Sequence, residues 1–203
     1  MPLAATPSTP RELTLHAGWD PHTPPGAPMV WRIQLAWSPP DAGLPITGYR
    51  VEWAPSPGGP WTVLTVTTGH GATEDLPDGV RRFYRVSASN AHGYGPAATA
   101  SAPGHPSPPL VTGAQPRPGG VELTWQPPSD DGGSPISGYV IEFYPYDPWT
   151  GAPTDITRWV YATRTTVTVA GLLPGGSYAF AVRAGNQAGL FSDADPIAAV
   201  AGW

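Results

Sequence analysis

The sequence of 203 residues contains neither cysteine nor lysine. Without cysteine, the chain cannot form a disulfide framework or a thiolate zinc site, and it cannot carry a cysteine nucleophile. The absence of cysteine leaves the compartment open, because a protein without thiols is indifferent to the local redox state.

Positive charge and long apolar runs are also scarce. The net charge is −5 and the isoelectric point is about 5.4, so the chain offers no basic field to nucleic acid or anionic lipid. No apolar run approaches the roughly 18 residues that cross a bilayer, and the opening MPLAATPSTP lacks the features of a signal peptide. We therefore expect no nucleic-acid partner and no membrane insertion. If the protein is exported, we expect a leader outside this chain or a route that needs no signal peptide.

The sequence does contain an internal repeat, in which two similar segments occur about 90 residues apart. WSPPDAGLPITGYRVEW begins at Trp37, and WQPPSDDGGSPISGYVIEF begins at Trp125. Apolar and polar residues alternate before each tryptophan, as in a half-buried strand, and the prolines end that strand because they cannot donate to a ladder. The 25 glycines and 29 prolines lie between such alternating runs, which predicts turns rather than disorder.

Both halves of the chain resemble fibronectin type III domains. The resemblance is carried by Trp37 and Trp125, the Pro-Pro after each, the Gly-Tyr pair that opens the next strand and an Asn-x-x-Gly loop in each half. It implies an all-β fold of two tandem seven-stranded antiparallel immunoglobulin-like sandwiches. We place the first domain at residues 8–103 and the second at 107–203. The stretch 17–29 is longer than its counterpart and predicts an insertion.

The repeat also predicts which residues form the core. A sandwich needs bulky side chains that reach across about 10 Å between its sheets. The resemblance implies that Tyr178 is the tyrosine before the sixth strand, whose hydroxyl bonds nearby backbone. The matching residue of the first half is Arg82, so we expect this corner to be absent there or supplied by Phe83. The predicted core residues are Trp37, Trp125, Tyr49, Tyr139 and Tyr178, and alternation adds Trp53 and Phe143.

No pattern in the sequence indicates catalysis or a cofactor. Residues 93–98 read G-x-G-x-x-A, but a phosphate-binding turn requires a helix after it, and Pro96 and a strand follow instead. The five histidines lack metal-ligand spacing. The paired acidic residues are typical of turns, with calcium at Asp193 and Asp195 as the alternative. We predict no enzyme, no cofactor and no metal, and an enzyme with an unrecognised loop site is the alternative.

Aromatic residues outside the alternating pattern are the candidates for binding. Tyr146 and Trp149 lie in YPYDPWTG, and Tyr94 and Phe191 lie in other loops or at off-pattern positions. Exposed rings stack on sugars or anchor protein partners. The alternative is that these rings cover loop bases or the seam between the two halves.

Together these features predict a non-enzymatic structural or adhesive protein. The expected setting is a phage virion, as a tail or capsid-surface protein, because the chain starts at a plain Met without a leader and cytoplasmic assembly needs none. The alternative is an accessory spacer or binding module of a secreted bacterial polysaccharide-degrading enzyme. Expected partners are other structural proteins of the same assembly, or a cell-surface or polysaccharide ligand, in a virion or outside the cell. Prolines that flank the outer strands argue against the addition of a foreign strand to a sheet edge.

Overall fold

Each half of the chain folds as an antiparallel β-sandwich. The chain divides into two units, Met1–Gly104 and His105–Trp203. The structure is a computed structural model. The residues that it describes are 5–20, 30–41, 45–76, 79–155 and 157–203.

The first unit has seven strands among its described residues. They form a three-stranded sheet in the order β1-β2-β5 and a four-stranded sheet in the order β4-β3-β6-β7, with antiparallel neighbours throughout. The strands are β1 (Arg11–Trp19), β2 (Trp31–Ser38), β3 (Gly48–Ala54), β4 (Thr62–Thr67), β5 (Gly71–Leu76), β6 (Arg82–Asn90) and β7 (Gly93–Ala102).

The second unit repeats this arrangement. Its described strands form the sheets β12-β9-β8 and β11-β10-β13-β14, again antiparallel. The all-β class and the seven-stranded antiparallel sandwich predicted for each half are therefore confirmed. The strands are β8 (Leu110–Arg117), β9 (Gly120–Gln126), β10 (Ile136–Pro145), β11 (Arg158–Ala162), β12 (Thr166–Ala170), β13 (Ser177–Asn186) and β14 (Ile197–Val200).

The core of each unit lies between its two sheets, and each core contains a tryptophan–tyrosine pair at corresponding positions; the first unit also buries Trp31 completely. Trp37 packs against Tyr49 with 5.5 Å between ring centroids, and Trp125 packs against Tyr139 with 5.2 Å. All four side chains are buried. The pairs correspond because β2 and β9 alternate apolar residues inward, as a strand with a period of two requires.

Tyr178 closes the corner before β13 in the second unit. Its hydroxyl accepts a hydrogen bond from the backbone N–H of Leu173 at 3.0 Å. In the first unit the corresponding residue is Arg82, whose guanidinium lies 3.9 Å from the centroid of the Trp53 ring. Trp53 is half-buried rather than part of the buried core.

In the first unit a tyrosine hydroxyl forms its hydrogen bond inside the sandwich rather than at the corner. Tyr84, two residues after Arg82, is fully buried, and its hydroxyl donates to Glu74 Oε2 at 2.5 Å. Tyr84 pairs with Trp53 of β3, whereas its counterpart Phe180 pairs with Phe143 of β10. The hydroxyl contact has therefore moved from the corner to the inward face of β5, and the half-buried Phe83 does not take the corner role.

Replacing Tyr178 with phenylalanine is expected to lower the free energy of unfolding of the second unit by about 0.5–1.5 kcal/mol, the usual net value of one hydrogen bond. Chemical denaturation checks this. Tyr161→Phe is the matched control, because this residue of the same unit is 79% exposed. An equal loss of stability in both variants would contradict the role of the corner.

Two strand assignments depart from the sequence-based expectation. Of the insertion predicted at 17–29, residues 17–19 belong to β1, and 21–29 lie outside the described residues. Strand β11 is not marked in the sequence, because Trp159-Val-Tyr-Ala162 shows no alternation of polar and apolar residues.

Candidate functional site

The outward side of the four-stranded sheet in the second unit carries exposed aromatic rings. Trp159 and Tyr161 lie two residues apart on β11 and so project from the same side; they are 59% and 79% exposed. On β10, Glu142 pairs with Trp159 and Val140 with Tyr161, and Arg183 of β13 pairs with Val140 from the other side. We define the Trp159 face as Val140, Glu142, Trp159, Tyr161, Arg183 and Phe191.

Phe191 closes one end of the Trp159 face. Its backbone forms a β-bridge with Gly185, and its ring lies directly on that glycine. A β-carbon at position 185 would lie only 2.6 Å from the Cε1 atom of the ring. The carbonyl oxygen of Phe191 is also hydrogen-bonded with Nδ1 of His105 at 2.7 Å. A loop residue is thus held against the sheet because position 185 has no side chain.

Two shallow depressions meet on the Trp159 face. One, of about 460 Å³, is lined by the six residues of the face. The other, of about 350 Å³, shares Val140, Tyr161 and Phe191 with the first. Small-molecule sites are usually concave and bury most of their ligand. This broad, ring-bearing surface is better suited to contact with another large surface.

Charge on the Trp159 face is paired. Glu142 Oε1 lies 3.3 Å from Arg183 Nε, and Arg183 Nη1 donates to the carbonyl oxygen of Ser192 at 3.1 Å. The face thus combines apolar rings with one oriented ion pair, which supplies stacking and hydrogen-bonding groups. Arginine and aromatic side chains are the residue types enriched where protein interfaces bind most strongly.

Neither a cluster of metal ligands nor a long apolar helix is found in the described part of the chain. Within it, no three residues among His, Asp and Glu are grouped so that they would hold a metal ion. None of its segments forms a helix with the length and apolar character needed to cross a bilayer. The G-x-G-x-x-A run at 93–98 lies in strand β7.

On the four-stranded sheet of the first unit, aromatic rings are in contact with arginine side chains of the same unit. The guanidinium of Arg50 lies 4.2 Å from the centroid of the Tyr94 ring, and that of Arg85 lies 4.6 Å from the centroid of Trp61. Arg85 also donates two hydrogen bonds to Glu52, at 2.7 and 2.9 Å, and they hold the pKa of that carboxyl below its usual range. Cation–π contacts and ion pairs thus cover much of this face.

The four predicted binding residues fall in three places. Trp149 is 93% exposed at the tip of the loop after β10, where its backbone N–H donates to Asp147 Oδ1 at 2.7 Å. Tyr146 is half-buried at the base of that loop, bridged to Pro153. Phe191 belongs to the Trp159 face, and Tyr94 lies in the first unit.

Sequence reasoning missed Trp159 and Tyr161, the two most prominent rings of the face. They lie on β11, and its continuous apolar run from Trp159 to Ala162 lacks the alternation by which a strand is recognised in a sequence. The signal available was their spacing, since two large rings at positions i and i+2 share one side of any strand.

Comparison with known proteins identifies relatives in animals. The model of the "Fibronectin type III domain" family matches residues 105–199. "Fibronectin type-III domain-containing protein 3A" of Mus musculus is 33% identical over 171 residues, covering 78% of this chain and 14% of the relative. "Protein sidekick-1" of Homo sapiens is 34% identical over 187 residues, covering 83% and 8%. This chain thus spans only a small part of these curated relatives. A solved structure, the chicken CNTN1 FN1–FN3 domains, aligns with a TM-score of 0.43 at 17% identity, covering 98% of this chain and 69% of that one.

These relatives correct the function predicted from the sequence. The matches over most of the chain lie in animal proteins, at 33–34% identity. The prediction of a phage virion component is therefore wrong. The alternative, an accessory module of a secreted bacterial polysaccharide-degrading enzyme, is wrong for the same reason.

Proposed function

The chain belongs to the fibronectin type III domain proteins, and from this premise we propose that it is a non-enzymatic protein-binding module whose binding surface is the Trp159 face. Proteins of this family generally serve in adhesion or structure. The observation that carries the proposal is the 59% and 79% exposure of two large rings on one side of one strand.

The composition of the Trp159 face supports a protein partner. Exposed apolar area at the centre of such a face is removed from water on binding, and each buried Å² contributes about 25 cal/mol before ordering costs are subtracted. Tryptophan, tyrosine and arginine dominate the residues whose truncation weakens binding most. Strands hold these side chains in place, so little ordering is required on binding. An extracellular position and a polysaccharide ligand stay predictions.

The experiment compares protein retention by three forms of the full chain. The chain is immobilised and exposed to a mixture of extracellular and cell-surface proteins that also contains the same chain in isotope-labelled soluble form, and retained proteins are quantified by mass spectrometry. Trp159→Ala combined with Tyr161→Ala is expected to reduce specific retention at least 10-fold, since loss of a central aromatic anchor costs about 2 kcal/mol or more.

Trp149→Ala is the matched control. It removes a more exposed tryptophan from the same unit, outside the Trp159 face, and retention is expected to stay within twofold of the original chain. The proposal fails if the original chain retains nothing above a blank surface. It also fails if the double variant and the control behave alike.

A further inference from the structure

Strand β11 lies at an edge of its sheet. In the described sheet order β11-β10-β13-β14, it pairs with β10 on one side. An edge strand presents backbone N–H and C=O groups on its outer side, and these pair readily with another extended strand. The partner that fits these backbone groups is therefore another β-strand.

Strand β11 lacks three common protections of an edge strand, namely a register shift, a proline and an inward-pointing carboxylate. Its register with β10 runs without a shift from Tyr139↔Ala162 to Phe143↔Arg158. It contains no proline, and its inward residues Val160 and Ala162 are apolar. All backbone N–H groups of β11 are therefore intact, whereas a proline within the strand would have removed one.

Three of the other edge strands, β4, β5 and β12, carry protective features or offer less to bind. The counterpart of β11 in the first unit, β4, pairs with β3 through a register shift at Val51/Glu52. Strand β5 points the charged Glu74 inward, where it accepts from Tyr84. Strand β12 has a regular register, but its exposed side chains include threonines at 166 and 168 rather than rings. Shifts and inward charges are known means of blocking edge pairing.

The sequence of β11 is complementary to itself in an antiparallel arrangement. If two copies pair with a two-fold axis at Val160, Trp159 of one lies opposite Tyr161 of the other, and the reverse pair is generated by symmetry. Arg158 then lies opposite Ala162, so no like charges face each other, and Arg158 keeps its own partner Asp155, whose Oδ2 lies 3.4 Å from its Nη2. Aromatic pairs at facing positions stabilise antiparallel sheets.

We infer that two copies of this chain associate through antiparallel pairing of their β11 strands, which joins the two four-stranded sheets and stacks Trp159 of each copy on Tyr161 of the other. This inference rests on the proposed function and names a second copy as the partner. The arrangement is isologous and closes with two copies. A five-residue edge lies at the low end of interface sizes, so we expect a dissociation constant of about 100 µM.

Sedimentation velocity of the full chain tests the inference. The concentrations run from about 1 µM to about 1 mM, so that they bracket the expected dissociation constant. The weight-average mass is expected to rise from monomer to dimer, and Tyr161→Lys is expected to weaken association at least 10-fold. Val66→Lys is the matched control: it places the same charge on β4, at a residue 60% exposed, and should leave association unchanged. A chain that stays monomeric at the highest concentration, or equal effects of the two lysine variants, overturns the inference.

Hydrogen exchange of the original chain gives a readout that needs no variant. Between dilute and concentrated samples, the backbone amides of residues 158–162 should gain protection, while those of β4 should not. Protection that does not change with concentration overturns the inference, even if a variant fails to fold. A monomeric chain that still loses partner retention on Trp159→Ala combined with Tyr161→Ala refutes the second copy as partner and leaves the protein-binding function standing.

Discussion

Replacing Trp125 with alanine is expected to lower the free energy of unfolding of the second unit by about 3–5 kcal/mol. Trp125 is 2% exposed and packs edge-on against Tyr139. Its removal takes away the contacts across the two sheets and leaves a cavity that strands on both sides cannot close. Since small domains are stable by about 5–15 kcal/mol, the second unit should lose much of its margin.

Calorimetry and hydrogen exchange of the full chain measure this effect unit by unit. The unfolding temperature of the second unit should fall by about 15 °C or more, while protection of the first unit should stay as it is. Trp149→Ala, at an exposed loop position of the same unit, is the control for loss of an indole. An unchanged scan, or loss of protection first in residues 5–104, would show that Trp125 does not hold the second core together.

The core was predictable because its signal is local and repeated. Alternation around Trp37 and Trp125 marks β2 and β9, and the same period marks β3, β10 and β13, so fold class follows from the sequence. The relocated tyrosine contact was not predictable. Nothing local to Tyr84 shows that Glu74, on a strand of the other sheet, points inward at it.

The candidate face was only partly predictable for a different reason. An exposed ring and a core ring have the same chemistry, and they differ only in which side of the strand they occupy. From Trp159 to Ala162 both sides of β11 are apolar, so no polar residue marks the outward side of Trp159 and Tyr161. Phe191 was found because it lies outside any alternating run, but its contact with Gly185 depends on a bridge that forms only in the folded sheet.

Raising the pH above 10 is expected to destabilise the first unit more steeply than the second. Burial, and next the hydrogen bond to Glu74, raise the pKa of Tyr84 well above its ordinary value, against a smaller opposing effect of Arg82. Burial also raises the pKa of Tyr49 in the first unit and of Tyr139 in the second. An unfolded tyrosine ionises near pH 10.

The sign of the effect follows from proton counts. Below pH 10 Tyr84 is neutral in both states, so its contribution to stability is fully present. Above pH 10 the unfolded chain loses the proton that the folded chain keeps, so the free energy of unfolding falls by about 1.4 kcal/mol per pH unit for this group until its folded pKa is reached. The first unit contains two such tyrosines, Tyr49 and Tyr84, against Tyr139 in the second, so it should open first.

Tyr84→Phe separates this effect from general alkaline unfolding, because it gives the first unit the phenylalanine that the second has at Phe180. At pH 7 the variant should lose about 1–3 kcal/mol, since Glu74 loses the donor of a charge-assisted hydrogen bond. Between pH 10 and 12, about where tyrosine ionises, its stability should fall less steeply than that of the original chain, with Tyr49 accounting for the remaining slope. Chemical denaturation of both chains at stepped pH measures both quantities. Equal slopes in the two chains would mean that Tyr84 is not held neutral by the fold, and that its contact with Glu74 contributes nothing to the stability of the first unit at high pH.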